Sequence, residues 1–217
     1  MQTGEAVTIV RGEEELLART AHLFATATDV ACAANDLFTW QSTHPAQEAS
    51  ALCPARPDVR VRKVYRAGML LDPVAAHHLE TVRDLHGAQI RITADEINET
   101  IILDRRLAVL AGDVRAGRRS YSVVTQPEVV QGVVSLFEVA WRTATDLALY
   151  DARIAEIRQL APRVLDLLGQ GIKDETAARR LGLGVRTYRR RVAELMDALG
   201  AESRFQAGVR ARELGLV

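Results

Sequence analysis

Arg186, Arg189, Arg190 and Arg191 fall within six residues of the stretch DETAARRLGLGVRTYRRRVAELMDAL, in a chain whose formal net charge is zero. A guanidinium is a planar fork of donors suited to carboxylates, phosphates or the O6/N7 edge of guanine. At helical spacing, Val185, Tyr188, Val192, Leu195, Met196 and Leu199 share one side and form a buried stripe. Arg186, Arg189, Arg190 and Ala193 share the outward side, and Arg191 flanks the stripe. Such a face can recognise DNA in three ways. Arginines read base edges, Ala193 leaves room for a thymine methyl, and Thr187 with the open N–H groups of the first turn holds a phosphate. The bland alternative is a solvated face. It carries weight here, because 26 arginines against Lys63 and Lys173 point to a GC-rich genome.

The elements around the run favour recognition. Asp174–Leu181 reads as a helix with Asp174 as N-cap, Gly182–Gly184 as a turn and Val185–Leu199 as the next helix, together a helix-turn-helix. Ala177 allows the two helices to pack closely. Pro162–Gln170 precedes them as another helix, and Ser203–Leu214 follows, interrupted at Gly208. From residue 151 onward there are 13 Lys and Arg against 9 Asp and Glu, net +4; residues 1–150 hold 15 against 19, net −4. An acidic body with a basic tail points toward nucleic acid.

The body alternates between strands and helices. Ala6–Val10, Val30–Ala34 and Val59–Tyr65 read as strands, the last alternating apolar and basic residues. Glu13–Thr26 is an amphipathic helix; Pro73–His86 is a second, entered through Asp72 and ended at Gly87. The short strands AQIRI, TIIL, LAVLAG and YSVV follow and are expected to form a meander. The order implies a mixed α/β domain with a partly parallel sheet. Gln126–Tyr150 is expected to be one long helix closing it, with a stripe including Phe137 and Trp141 packed on the sheet rather than forming a dimer seam. The predicted organisation is an α/β sensor domain at 1–149, a polar helical linker at 150–157 and an all-α four-helix domain at 158–217.

At 217 residues, 48% hydrophobic and 26% charged, the chain reads as globular. No apolar run is long enough to span a membrane and no basic-then-apolar leader opens it, so a cytoplasmic protein without membrane association is expected. Cys32 and Cys53 give neither a disulfide framework nor a zinc pattern, and His77-His78 diverge on a helix, so no metal site is expected. No phosphate-binding loop or complete dinucleotide fingerprint occurs, and no cofactor is expected.

The segments VLDLLGQG, ETAARRLGL, VRTYRRRV and LMDALGAESRFQA resemble the C-terminal DNA-binding domain of LuxR-family bacterial transcription regulators. The resemblance implies that the third helix reads the major groove and that the fourth builds a dimer. By motif position it assigns base-edge contacts to Arg189, Arg190 and Ala193, and a phosphate contact to Thr187. The chain departs from the family pattern at Gly184, where a serine cap is usual, and at Arg191, where histidine is usual and where arginine would add a phosphate contact. It departs again at Thr176, at Leu160–Arg163 and at Gly208.

Ahead of this domain, VRKVYRAGMLLDP, GAQIRI, IILDRRLAVLAGD and SLFEVAWRTATDL resemble the phospholipase-D-like or TrmB-like sensor module of actinobacterial LuxR-type regulators. Such modules usually follow a winged helix; none fits before Ala6, so a shortened form is expected. A phosphoacceptor receiver is rejected for want of an acidic pair and a late lysine, and an acyl-homoserine-lactone pocket for want of clustered aromatics. Phospholipase-D enzymes use H-x-K-x4-D; here Phe24, Ala46, Leu79, Glu80 and Ala88 stand where the lysine is needed, so a non-enzyme is expected.

Ligands of open α/β sheets bind at the carboxyl ends of strands. That places Asn35, Asp36 and Trp40, Tyr65 and Arg66, and Asp95 and Glu96 as candidates for a small-molecule effector, whereas Asp104, Arg105 and Arg106 are expected to make a structural turn. The expectation is a homodimeric regulator binding two half-sites of a double-stranded operator about one DNA turn apart. The competing classes are a phosphodiesterase-like enzyme with a DNA-targeting tail and a protein-interaction adaptor whose helical tail does not read DNA.

Overall fold

A computed structural model describes residues 6–35 and 58–217. Eight described strands form one sheet: β1 (Val7–Arg11), β2 (Asp29–Ala34), β3 (Arg60–Arg66), β4 (Gln89–Thr93), β5 (Thr100–Leu103), β6 (Leu107–Arg115), β7 (Arg118–Val124) and β8 (Thr145–Asp146). Their order is β1-β7-β6-β5-β2-β3-β4-β8. β2, β3 and β4 run parallel, with Cys32 opposite Lys63 and Lys63 opposite Ile90. β5, β6 and β7 form the antiparallel meander, and β1 closes that edge against β7. The tight β5–β6 turn holds Asp104 and Arg105 at φ 50° and 57°. Asp104 Oδ1 accepts hydrogen bonds from the Thr28 and Asp29 N–H groups, so the expected structural turn is built as a cap on β2. Burial opposes ionisation of that carboxyl, but these bonds win and hold its pKa below the ordinary value.

Helices cover both faces. α1 (Glu13–Thr26) and α2 (Pro73–His86) match the expected spans, and Asp72 caps α2 by accepting from the Val74 N–H at 3.0 Å. α3 (Pro127–Thr143) lies on one face, burying Val130, Val134 and Phe137 against Ala31, Ala33, Val64, Ile102 and Ala108. Of the basic residues of β3, Arg60 is exposed whereas Arg62 lies under this helix. Arg62 pairs with Glu138 at 2.9 Å and with Asp29 at 3.7 Å, and its guanidinium lies over the Phe137 and Trp141 rings.

The long helix expected at 126–150 is broken. α3 ends at Thr143, Thr145 and Asp146 pair with Ile92 and Arg91 as the edge strand β8, and a new helix starts behind Asp146, which caps the Ala148 N–H. This helix, α4 (Leu147–Gly169), is continuous for 23 residues and carries Pro162 inside it. It therefore absorbs both the expected linker at 150–157 and the expected helix at 162–170. Within the former linker, Tyr150, Ile154 and Ile157 are buried, so this stretch is a packing surface. α5 (Asp174–Leu181), α6 (Val185–Ala198) and α7 (Arg204–Glu213) complete the tail. α7 runs through Gly208 without interruption.

The tail is seated on the other face of the sheet. A buried 3-10 turn, Ala67–Leu71, follows β3 and packs among α2, α4 and α6. A Cβ on Gly68 would run into the Leu214 side chain, so the absent side chain admits the end of the tail. One apolar cluster runs from Ile90 and Ile92 of the sheet through Ile154 and Ile157 to Tyr188, Leu195 and Ala207.

Candidate nucleic-acid interface

α5 and α6 are positioned by small residues and backbone geometry. Ala177 and Ala178 are fully buried at their contact. Gly182 ends α5 at φ 69°, and the Leu183 N–H reaches back to the Ala178 carbonyl at 2.9 Å, which turns the chain within three residues. The N-cap of α5 is Lys173, not Asp174. Gly184 caps α6 with extended backbone and no side-chain acceptor, leaving the N–H groups of its first turn without a side-chain cap.

The buried side of α6 is Tyr188, Val192, Leu195 and Ala198, as its periodicity implies. Arg186, Arg189, Arg190 and Ala193 are exposed together on the other side, and Thr187 is half-buried beside them. Among the described residues Arg190 pairs with Glu194 alone, at 3.6 Å. Arg189 is held from below: its Nε donates to Asp174 at 2.9 Å, and Glu175 is 3.6 Å away. Asp174 also takes two bonds from Arg204 of α7, at 2.8 and 3.1 Å. Hydrogen bonds from Arg204 and then Arg189 bring its pKa down to about 2. Asp174 thus ties α5, α6 and α7 together and holds Arg189 in place, a role hidden when it is taken for a cap.

Arg191 departs from the expected set. Its side chain, 16% exposed, turns toward α4 and forms ion pairs with Glu156 and, at 2.8 Å, with Glu194. Both carboxylates, Glu194 first, raise its pKa further. The position flanking the buried stripe explains this: an arginine there reaches the neighbouring helix before it reaches solvent. Arg191 fastens α6 to α4 and does not stand on the open face.

The effector candidates separate as well. Asn35, Arg66 and Glu96 line one cleft of about 520 Å³ between the strand ends and α7. Tyr65 does not join them; it is buried in the core, and burial raises its pKa. Asp95 is exposed and closes a local turn through Thr93 Oγ1, which accepts from the Asp95 N–H at 3.1 Å. Asp36 and Trp40, with Cys53, lie outside the described residues. Arg210 was missed: its Nη1 donates to the Leu199 carbonyl at 3.0 Å while Nη2 reaches Glu96 across the cleft. Among the described residues no group of three or more His, Cys, Asp or Glu side chains could hold a metal ion. None of the described helices is long and apolar enough to cross a membrane.

No protein-family model matches the chain. It is 31% identical over 160 residues to the bialaphos biosynthetic pathway regulatory protein of Streptomyces hygroscopicus; the match covers 73% of this chain and 62% of that protein. The chain thus spans less than two thirds of that relative's length. Among solved structures, Nuc, a phospholipase D family member from Salmonella typhimurium, superposes with a TM-score of 0.50 at 14% identity, over 64% of this chain and 97% of Nuc. TrmBL2, an archaeal chromatin protein, gives 0.49 at 15% identity over 67% and 55% of the two chains. The likeness to Nuc is one of fold: the described α/β sheet has the phospholipase D architecture.

Proposed function

We propose that this protein is a sequence-specific DNA-binding transcription regulator in which α6 reads the major groove. The observation that carries the proposal is the joint exposure of Arg186, Arg189, Arg190 and Ala193 on α6, opposite its buried stripe and just after a three-residue turn. The resemblance of the tail to LuxR-type domains supports this reading, as does the similarity to a pathway regulator from Streptomyces hygroscopicus. In this reading Arg189 and Arg190 contact guanine edges, Arg186 and Thr187 contact the backbone, and the first-turn N–H groups of α6 hold a phosphate. Two copies engage two half-sites about one DNA turn apart. Residues 1–149 act as the sensor and 158–217 as the reading head, joined by α4. The sheet is non-enzymatic: with no lysine two residues after any histidine, it lacks the H-x-K pair on which phosphodiester chemistry of that fold relies.

The test is selection of bound duplexes from a random DNA pool, followed by titration of the selected site at several salt concentrations. A two-fold motif, with Arg190→Ala costing roughly 1–3 kcal/mol at particular base pairs, is the expected result. Failure to enrich any sequence would favour the adaptor class. Turnover of a model phosphodiester would favour the enzyme class.

A further inference from the structure

We propose that the cleft between the ends of β2 and β3 and helix α7 binds a small organic carboxylate carrying a hydroxyl or amino donor, its carboxylate held between Arg66 and Arg210. The cleft, about 520 Å³, is lined by Asn35, Arg66, Glu96, Gln206, Arg210 and Glu213. That is the size range of small-molecule sites. Its two arginines come from different layers, Arg66 from the end of β3 and Arg210 from α7. Their side chains are only 19% and 13% exposed.

Glu96 now joins the two arginines, and it does so loosely. A single oxygen, Oε1, lies 3.5 Å from Arg66 Nη2 and 3.4 Å from Arg210 Nη2. Charge-assisted hydrogen bonds settle nearer to roughly 2.8 Å. The Glu96 side chain is 81% exposed, so little stabilisation is lost when it swings away. An incoming carboxylate can present both oxygens, one to each guanidinium, where Glu96 presents one. The site is therefore occupied by an internal surrogate that a better-fitting carboxylate can displace.

A second feature selects the rest of the ligand. Asn35 is anchored through its Nδ2, which donates to the Ile97 carbonyl at 3.1 Å. Its Oδ1 is buried and accepts no hydrogen bond among the described residues. A buried acceptor without a donor is costly, and a small rotation of the Asn35 side chain, which lines the cleft, would offer it to a ligand hydroxyl or amine. The adjoining lobe, about 240 Å³, adds the Arg119–Glu99 ion pair, so the lining cations Arg66, Arg119 and Arg210 are matched by Glu96, Glu99 and Glu213. That balance suits a ligand of low charge rather than a polyphosphate.

Binding is read by isothermal titration of the full chain at low salt with L-lactate, L-malate and inorganic phosphate, in wild type, Glu96→Gln, Arg66→Gln and Arg210→Gln. At least one of the two hydroxy acids is expected to bind saturably. Glu96→Gln, which removes the surrogate, should tighten it by about threefold, and each arginine variant should weaken it by about tenfold or more. Opposite signs from residues of the same cluster separate a ligand site from a merely structural ion pair. Should Arg66→Gln fail to fold, Arg210→Gln and Glu96→Gln carry the test. No saturable heat from either hydroxy acid, phosphate binding alone, or affinities unmoved by the variants would overturn the proposal. The doubly substituted Arg189→Ala/Arg190→Ala chain should bind the acid as wild type does, so failure of the DNA reading and failure of this site are told apart.

Discussion

Arg62 on β3 and Arg190 on α6 carry the same side chain in opposite settings. The Arg62 side chain is 4% exposed, enclosed by Glu138, Asp29 and the rings of Phe137 and Trp141. The Arg190 side chain is 64% exposed and touches one carboxylate at 3.6 Å. Burial forces a guanidinium to find carboxylates and ring faces inside the protein, and once satisfied there it is a fastener. An exposed guanidinium beside a helix N-terminus has its donors free for a partner. The composition of an arginine-rich chain does not distinguish the two, and Arg191 shows why. It sits next to Arg190 in sequence yet belongs with Arg62, because Glu156 of α4 is within its reach.

The largest effect that sharpens this contrast is expected at Arg62. Arg62→Met removes the buried cation between Glu138 of α3 and Asp29 of β2, leaving Glu138 only the exposed Arg105 at 3.4 Å, and should destabilise the fold by about 3 kcal/mol, seen as a lower urea midpoint. Arg190→Ala should leave that midpoint within about 0.5 kcal/mol while weakening DNA binding by roughly 1–3 kcal/mol. A large loss of stability in Arg190→Ala would erase the distinction.

Asp174 links the two populations, since it fixes the open Arg189 from inside the tail. Its carboxyl is held at about 2, below its ordinary 3.8, by hydrogen bonds from Arg204 and Arg189. A lowered folded-state value means stability that is complete above the unfolded value and lost as pH falls through the folded one. Wild type should therefore lose stability between about pH 4 and pH 2 more steeply than Asp174→Asn, followed by urea unfolding at each pH. At neutral pH the same substitution should cost roughly 1–2 kcal/mol through the lost charge-assisted bonds. The smallest effect is expected at Arg191. Arg191→Ala should cost about 1 kcal/mol of stability, because its partner Glu156 is largely hydrated and Glu194 partly so.

Much of this was legible in the residues and some was not, for physical reasons. α1 and α2 follow from local signals, with Asp72, Pro73 and Gly87 marking the bounds of α2. The break between α3 and α4 depends on β8, two residues held by pairing with β4, and no local preference announces so short a strand. Asp146 as an N-cap was the available clue. The supposed linker at 150–157 looked polar by composition, although Tyr150, Ile154 and Ile157 stand at the four- and three-residue steps of a buried stripe. The open face of α6 was readable because one amphipathic helix contains all of it. Asn35, Arg66 and Glu96 were readable as strand ends, whereas Arg210 reaches them only through tertiary packing of α7, across 114 residues of chain from Glu96.

The most direct measurement is the base preference of the selected DNA site, position by position, for wild type, Arg190→Ala and Arg191→Ala. A reading helix requires Arg190→Ala to relax individual base pairs by roughly 1–3 kcal/mol while Arg191→Ala keeps the wild-type preference. Unchanged preference in Arg190→Ala, or equal relaxation in both variants, would contradict the assignment of α6 as the reading helix.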